Sequence, residues 1–289
     1  MNDTYDPKTL RKLQLAQCAI LEDFIQICEK YRLNYFLFAG CAIGVERHQG
    51  FIPWDDDIDI GMPRDDYDRF LEVAKASYTD KYRVLDIDTD PKFPFYNAEF
   101  IRKGTKNIPV IFKDLNLDMG IDVAIYPFDH VADQPLRRNI QCFSVFFWHK
   151  IRILRDIDNP VLFLSGWRKQ AVKMICISVN RVLRLLHLSR RFINKRYLKS
   201  ATKYNSQETA WLSCFFGTTP LENAMKRDEI FPLKKKKFEY LMVNVPNKND
   251  ACLSRKFGDY MKIPPESKRK NHVPYLLEFG EFDEMITDL

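Results

Sequence analysis

The stretch GFIPWDDDIDIGMPRDDYDRF, residues 50–70, concentrates negative charge in a chain whose formal net charge is +6. Four of the five residues from Asp55 to Asp59 are aspartates. If residues 57–60 form a strand, Asp55, Asp57 and Asp59 share one face, because successive side chains of a strand alternate. Carboxylates held this close repel one another and are costly to bury unless a cation lies between them. The pattern therefore predicts either a site for Mg²⁺ or Mn²⁺, or a solvated acidic turn before a helix.

A third acid on a later strand would complete a site for two metal ions about 4 Å apart, an arrangement common in phosphoryl chemistry. Asp122, in the apolar run GIDVAIYPFD at residues 120–129, is the best candidate, because an isolated acid in an apolar strand needs a cation or another partner. Asp118 is a weaker candidate. We expect this strand to end at Pro127.

Hydrophobic periodicity predicts the remaining elements of the chain. Apolar residues at helical spacing predict helices at 7–31 and 64–76, and apolar or alternating runs predict strands at 35–40, 57–62, 81–88 and 95–104. The chain changes character over residues 135–205, which are helical, aromatic and basic, with about sixteen Lys and Arg against two acids between Arg137 and Lys203. We predict three parts: a catalytic core at 1–130, a basic helical insert at 131–225, and a C-terminal segment at 226–289 that completes the core.

Composition narrows the class of protein. Hydrophobic residues make up 46% of the 289 residues, enough for a substantial core. The seven cysteines are scattered without a CxxC pair, which indicates reduced thiols in a cytosolic protein. The N-terminal MNDTYDPKTLRKL has no apolar segment typical of a signal peptide, and no run is long and apolar enough to cross a membrane. We therefore expect a cytoplasmic location, with peripheral contact at the inner face of the membrane as an open alternative.

The acidic stretch and its surroundings resemble a known superfamily. Ala39-Gly40-Cys41, a following Asp-x-Asp strand and a later acid resemble the nucleotidyltransferase fold. The longer stretch GCAIGVERHQGFIPWDDDIDIGMPRDDYDRF resembles the signature of the LicD family, bacterial phosphocholine transferases related to fukutin and fukutin-related protein. EFIRKGT, GIDVAIYPFD and the block ending in FGDYMKIPPESKRKNH resemble further parts of that family, so the resemblance covers most of 10–130 and 228–274. It implies an α/β (α+β) fold, a nucleotidyltransferase-like mixed sheet with flanking helices and a basic helical insert.

The resemblance also implies roles for single residues. Asp57, Asp59 and Asp122 match the metal-binding acids, and Asp55 would orient a ligand, bind metal through water or accept a proton. Cys41 stands where the superfamily usually has Ser or Thr. The remaining candidates would contact the nucleotide or its phosphates: Gly40, Cys41, Arg47, His48, Arg102, Lys103, Arg269 and His272. His48 is a phosphate donor or a structural partner; Arg102, Lys103 and the segment carrying Lys268, Arg269 and His272 bind phosphate or are solvated charges.

The implied reaction is the Mg²⁺-dependent transfer of a substituted phosphate, such as phosphocholine, from a CDP-activated alcohol to a hydroxyl of a cell-surface glycan precursor. The acceptor would be a teichoic acid, capsule or lipopolysaccharide precursor, free or lipid-linked. A choline donor calls for an aromatic box, for which Trp54, Phe95, Tyr96 and Tyr126 are candidates, although such residues are commonly core. Two alternatives remain: a nucleotidyltransferase that moves NMP from an NTP, and an inactive binding module of the same fold.

The basic region, residues 137–203, carries no motif of that family. Its stretch from Val172 to Leu186 is an amphipathic helix pattern with arginines alongside the apolar stripe. One interpretation is a helix on the membrane surface that brings the enzyme to a lipid-linked acceptor. The other is an ordinary helical subdomain whose basic face is solvated or meets an anionic glycan. We expect no nucleic-acid partner, because no recognised binding module appears.

Overall fold

A computed structural model describes residues 4–157, 166–216, 219, 221–269 and 271–286. The helices are α1 (Pro7–Tyr31), α2 (Ala39–His48), α3 (Arg64–Ser77), α4 (Pro135–Asp156), α5 (Gly166–Leu185), α6 (Arg190–Ala201), α7 (Arg227–Ile230), α8 (Asn249–Phe257) and α9 (Phe282–Met285). The strands are β1 (Phe36–Leu37), β2 (Asp59–Pro63), β3 (Tyr82–Leu85), β4 (Ala98–Arg102), β5 (Lys106–Ile108), β6 (Asp122–Val131), β7 (Trp211–Ser213), β8 (Ala224–Lys226), β9 (Lys234–Phe238), β10 (Leu241–Val245) and β11 (Leu276–Glu278).

A mixed sheet organises the fold. Its strand order is β1-β2-β6-β4-β3, with β7 paired to β6 and β8 paired to β7. Strands β2 and β6 run parallel, and the other pairs are antiparallel. Two-stranded sheets β9–β10 and β5–β11 lie beside it. This sheet with its flanking helices confirms the predicted α/β fold class.

Side-chain alternation gives the central strands one apolar and one acidic face. Ile58 and Ile60 lie in the same buried cluster as Phe100, Val123 and Ile125. These residues alternate with acids along their strands, so the acids are directed away from that cluster. Helix α1 covers the apolar face with its buried side, as the predicted 7–31 helix requires. Burying the apolar residues under α1 therefore determines which way the acids face.

The strand carrying Asp122 is longer than predicted. We expected it to end at Pro127, but β6 continues to Val131. Pairing with β4 ends at Ile125, and pairing with β7 begins at Asp129. Pro127 thus lies in the gap between two partners on that edge, where a residue without an N–H costs no ladder hydrogen bond.

Helices α4, α5 and α6 form the predicted basic helical region and rest on the sheet through α4 and α6. Val131 of β6 and Tyr96 cluster with Cys142 and Val145 of α4 and with Tyr197 of α6. The end of the predicted 131–225 range also supplies strands to the main sheet, because β7 pairs with β6 and β8 begins at Ala224. The domain boundaries themselves stay a prediction.

Candidate active site

Strand register brings the three acids of the predicted metal site to one face of the sheet. Asp59 of β2 lies opposite Ala124 of β6. Asp122 precedes Ala124 by two residues, and Asp57 precedes Asp59 by two. The side chains of Asp57, Asp59 and Asp122 therefore share one face of the sheet with Ala124. Glu99 of β4 lies opposite Ala124 from the other side. Four carboxylates from three neighbouring elements therefore converge, and Glu99 was not among the predicted site residues.

Glu99 carries the same sequence signal that singled out Asp122, namely an acid between apolar neighbours in a strand. Its carboxyl group hydrogen-bonds Asp122, and its Oε1 accepts a hydrogen bond from Asn97 Nδ2 at 2.9 Å. An all-oxygen group of buried carboxylates fits a hard divalent cation such as Mg²⁺.

The electrostatics of the acidic face favour a bound cation. Burial raises the pKa of Asp57, Asp59, Asp122 and Glu99 above the ordinary carboxylate range. Burial and the charges of Asp57 and Asp59 raise the pKa of Asp55 to about 8. These carboxyl groups hold protons more tightly than free ones, because each negative charge is desolvated beside others. A divalent cation would displace the protons and stabilise the ionised forms.

Helix α2 supports the acidic segment at close range. A Cβ at Gly40 would lie 2.8 Å from Asp55 Oδ2, so only glycine fits there without moving Asp55. The Asp59 N–H donates to Cys41 Sγ at 3.2 Å, and Cys41 Sγ donates to the Asp57 carbonyl at 3.4 Å. Cys41 therefore ties the helix to the backbone on both sides of Ile58.

Helix α1 holds the same segment from the other side. Gln14 Nε2 donates to the Asp55 carbonyl at 2.9 Å, and Gln17 Nε2 donates to the Asp56 carbonyl at 3.0 Å. The two glutamines are three residues apart, so they lie on one face of the helix. They were not predicted, since glutamine in an amphipathic helix carries no particular signal.

The C-terminal segment reaches the acidic motif through His272. Its backbone N–H donates to Asp56 Oδ2 at 2.6 Å, and its Nδ1 lies 3.2 Å from Asp56 Oδ1. The hydrogen bond to Asp56 raises the pKa of His272 to about 9. Asp56, Asp57 and His272 are close enough to hold a metal ion. In the absence of a metal ion, the raised pKa favours the protonated imidazole, which lies as a cation beside the acids.

His272 gives a prediction for pH dependence. A histidine with a raised pKa in the folded chain stabilises the fold fully below its ordinary pKa of 6.5 and loses that effect as pH rises through about 9. The side chain is 73% exposed, so solvent screening keeps the free energy small. We expect Asp56→Asn to lower the pKa of His272 from its raised value in the wild type towards 6.5. An NMR titration of both proteins in EDTA measures this pKa. An unchanged titration would show that Asp56 is not the cause.

Arg47, Trp54 and Arg269 form a stacked group next to the acidic segment. The centroid of the Trp54 ring lies 5.9 Å from the Arg47 guanidinium and 4.6 Å from that of Arg269. Arg47 Nη1 donates to the Tyr260 carbonyl at 2.6 Å, and its Nε donates to His48 Nε2 at 2.9 Å. Burial lowers the pKa of His48, which leaves its Nε2 free of a proton to accept this bond. That contact favours the structural role of His48 over phosphate donation.

Arg102 and Lys103 lie away from the acidic face. Arg102 follows Glu99 by three residues in β4, so it leaves the opposite face of the sheet, where it lies over Tyr82 and pairs with Glu281. Lys103 donates to the Thr79 carbonyl. The structure does not bring these two predicted phosphate ligands to the acids.

The weaker acid candidate, Asp118, also lies elsewhere. Its side chain is 62% exposed and pairs with Arg83 at 2.7 Å and Lys106 at 2.9 Å. Already neutralised by two cations, Asp118 has no need of a metal ion, in contrast to Asp122.

A cleft of about 290 Å³ opens beside the N-terminus of α2. Ala39 and Ala42 of α2, Asn223, and Lys256 of α8 are part of its lining. Lys256 hydrogen-bonds Asn223, and its charge favours the ionised form of Asp59. The cleft therefore joins the positive end of a helix to a cation near the acids, a combination suited to phosphate.

The predicted aromatic box is not assembled as a unit. Tyr126 hydrogen-bonds Asp59, while Tyr96 stacks on Tyr197 in the cluster under α4. Phe95 packs against Phe216 at 5.6 Å, and Trp54 contacts the guanidinium groups of Arg47 and Arg269. Of the four, Tyr126 is hydrogen-bonded to the acidic face.

Comparison with known proteins agrees with this geometry. Residues 32–138 match the family described as LicD/FKTN/FKRP, nucleotidyltransferase domain, and this range contains Asp55, Asp57, Asp59, Glu99 and Asp122. The chain is 29% identical over 283 residues to the lipopolysaccharide cholinephosphotransferase LicD of Haemophilus influenzae, covering 91% of this chain and 96% of that protein. A 73-residue segment is 32% identical to an uncharacterised protein of Rickettsia typhi, covering 25% of this chain and 24% of that one. The family match over residues 32–138 and the nearly full-length similarity confirm the resemblance to the LicD family that the sequence indicated.

Proposed function

We propose that this protein transfers a substituted phosphate, phosphocholine or a relative of it, from a CDP-activated alcohol to a hydroxyl of a lipopolysaccharide or similar cell-surface glycan precursor. The observation that carries the proposal is the convergence of Asp57, Asp59, Glu99 and Asp122 on one sheet face beside a cleft with a cation. The similarity to a lipopolysaccharide cholinephosphotransferase supports the choice of transferred group and acceptor.

The reaction forms one bond and breaks one. The acceptor hydroxyl oxygen bonds to the phosphorus that carries the alcohol, the bond from that phosphorus to the bridging oxygen breaks, and CMP leaves with the electron pair. The proton of the hydroxyl passes to a carboxylate of the acidic segment. Asp55 is our candidate, because it lies beside Asp57 and Asp59 and is not one of the residues assigned to the metal.

Asp57, Asp59 and Asp122 would hold Mg²⁺, with Mn²⁺ as a substitute. When bound, the metal supplies neutralisation of the charge that develops on the diphosphate oxygens. Glu99 hydrogen-bonds Asp122 and so orients that carboxylate. Cys41 and the glutamines of α1 fix the backbone of the acidic segment, which keeps the carboxylates in place before the donor arrives.

The nucleotide of the donor would occupy the cleft at the start of α2. The free backbone N–H groups at the start of α2 would bind a phosphate there, and Lys256 also lines the cleft. His272 adds a cation from the C-terminal segment, where it is already bound to Asp56. Arg47 and Arg269 lie beside the same segment, stacked on Trp54.

Product analysis tests the proposal. Incubating the protein with Mg²⁺ and CDP-choline, with a glycan hydroxyl or water as acceptor, should release CMP and no pyrophosphate. CTP offered instead should give no pyrophosphate. We expect EDTA to abolish CMP release and added Mg²⁺ to restore it.

Two results would point elsewhere. Pyrophosphate from CTP, with no CMP from CDP-choline, CDP-ribitol or CDP-glycerol, would favour the nucleotidyltransferase alternative. Absence of any metal-dependent nucleotide binding or turnover would favour an inactive binding module.

A further inference from the structure

Helix α4 turns an apolar stripe outward. Leu136, Ile140, Phe143 and Phe147 are spaced four, three and four residues apart, so they form one continuous line along the helix. Their side chains are 44–69% exposed, although residues of this kind are normally buried. The buried residues of α4, such as Val145 and Arg152, lie on the opposite side.

Helix α5 shows the same inversion. Trp167, Met174, Val182 and Leu185 lie on one face at helical spacing and are 52–77% exposed. Leu183, on the other side of the helix, is buried. Two neighbouring helices of the basic region therefore each present a row of large apolar side chains to solvent, and exposed apolar rows of this kind mark interaction sites.

The exposed charges on these helices themselves have a single sign. Neither α5 nor α6 contains Asp or Glu. The acid of α4, Asp156, is buried and pairs with arginines, so it does not offset the exposed cations. Arg168, Lys173 and Arg181 lie on α5 itself.

Aromatic rings and cations alternate next to the α4 stripe. Trp148 contacts Phe147 at 5.2 Å and Phe192 of α6 at 5.8 Å, and Arg196 lies 5.5 Å from the Trp148 ring. Aromatic and basic side chains in this arrangement suit the boundary between lipid head groups and acyl chains.

We infer that the outer faces of α4 and α5 form a binding surface for a bilayer containing anionic phospholipid, with the apolar stripes inserted among the head groups and the cations on the lipid phosphates. An anionic glycan would use the cations but leave the large apolar side chains exposed. A second copy of the chain would bring two basic faces together. No helix in the described part of the chain is long and apolar enough to cross a membrane, so the contact is one of lying on the surface. This goes beyond the proposed transferase reaction and does not depend on it.

Co-sedimentation with vesicles tests the inference. The protein should pellet with vesicles of phosphatidylcholine and phosphatidylglycerol, and much less with phosphatidylcholine alone or at high salt. Phe143→Ser with Phe147→Ser, and separately Trp167→Ser with Leu185→Ser, should each lower the partition coefficient by about tenfold or more. Lys173→Gln with Arg181→Gln should weaken binding to the anionic vesicles and leave binding to phosphatidylcholine vesicles unchanged.

The hairpin β9–β10 provides a matched control. Tyr240 lies at its turn and Met242 on β10; they are 58% and 53% exposed and belong to a different surface, so Tyr240→Ser with Met242→Ser should leave vesicle binding unchanged. Circular dichroism melts would check that each variant folds. The inference would be overturned if the wild type failed to pellet with the vesicles, or if the control variant lost binding equally. It would also be overturned if ultracentrifugation showed a dimer that Phe143→Ser with Phe147→Ser abolishes. CMP release in vesicle-free solution should be the same in all these variants, which separates this surface from the catalytic site.

Discussion

Asp57→Asn and Asp122→Asn should each lower the rate of CMP release from CDP-choline by on the order of 10²–10³-fold, because each removes a charge that balances the cation and the developing negative charge. Both side chains lie on the shared acidic face. The fold should persist, since an amide of the same shape is less costly to bury than a carboxylate.

Asp118→Asn is the matched control for Asp122→Asn. It removes one carboxylate from the same neighbourhood of the sequence, but Asp118 is exposed and paired with Arg83 and Lys106. We expect its rate to stay within about twofold of the wild type and its melting temperature to change little. Equal losses in Asp118→Asn and Asp122→Asn would show that the acids act through net charge and not through position.

Arg64→Met should lower the free energy of unfolding by about 3–5 kcal/mol, because it leaves a buried carboxylate without its cation. Arg64, at the start of α3, donates to both oxygens of Asp129 in β6, at 2.8 and 2.7 Å. The side chain of Asp129 is 2% exposed, so water cannot replace the guanidinium. The pair fastens the helix that follows the acidic motif to the strand that carries Asp122.

Lys248 and Asp228 offer the control pair for that experiment. Their ion pair is 2.9 Å long, but both side chains are more than half exposed. Lys248→Met should therefore lower the free energy of unfolding far less than Arg64→Met does. Urea unfolding of the two variants measures both values, and a cost for Arg64→Met as small as that for Lys248→Met would contradict the buried-pair explanation.

The part of the site that sequence could predict is the part encoded by strand alternation. Asp57, Asp59 and Asp122 sit among apolar residues whose burial leaves the acids a single direction, and the structure brings these three together. Glu99 has the same local pattern but was not predicted, because Arg102 and Lys103 in the same segment indicated phosphate binding instead. Arg102 is close to Glu99 in sequence, but alternation along β4 places it on the opposite face of the sheet.

Local sequence patterns could not predict the contacts between segments that are distant in the chain. Lys256 is almost 200 residues from Asp59, and its position depends on how α8 packs near α2. His272 was a candidate, but its partner Asp56 could not be named from spacing alone. The sequence predicted a basic amphipathic helix from Val172 to Leu186, but only the exposure of single side chains shows that an apolar row of α5 faces outward. The apolar row of α4 was not predicted.

Calorimetric titration of CDP-choline, CDP-ribitol, CDP-glycerol and CTP into the wild type and Asp57→Asn, each with and without Mg²⁺, examines the acidic face and the donor together. We predict that one CDP-alcohol binds the wild type tightly when Mg²⁺ is present, and that both the omission of Mg²⁺ and Asp57→Asn abolish that binding. Tight binding that is indifferent to Mg²⁺ and to Asp57→Asn would contradict the assignment of this face as a metal-dependent donor site.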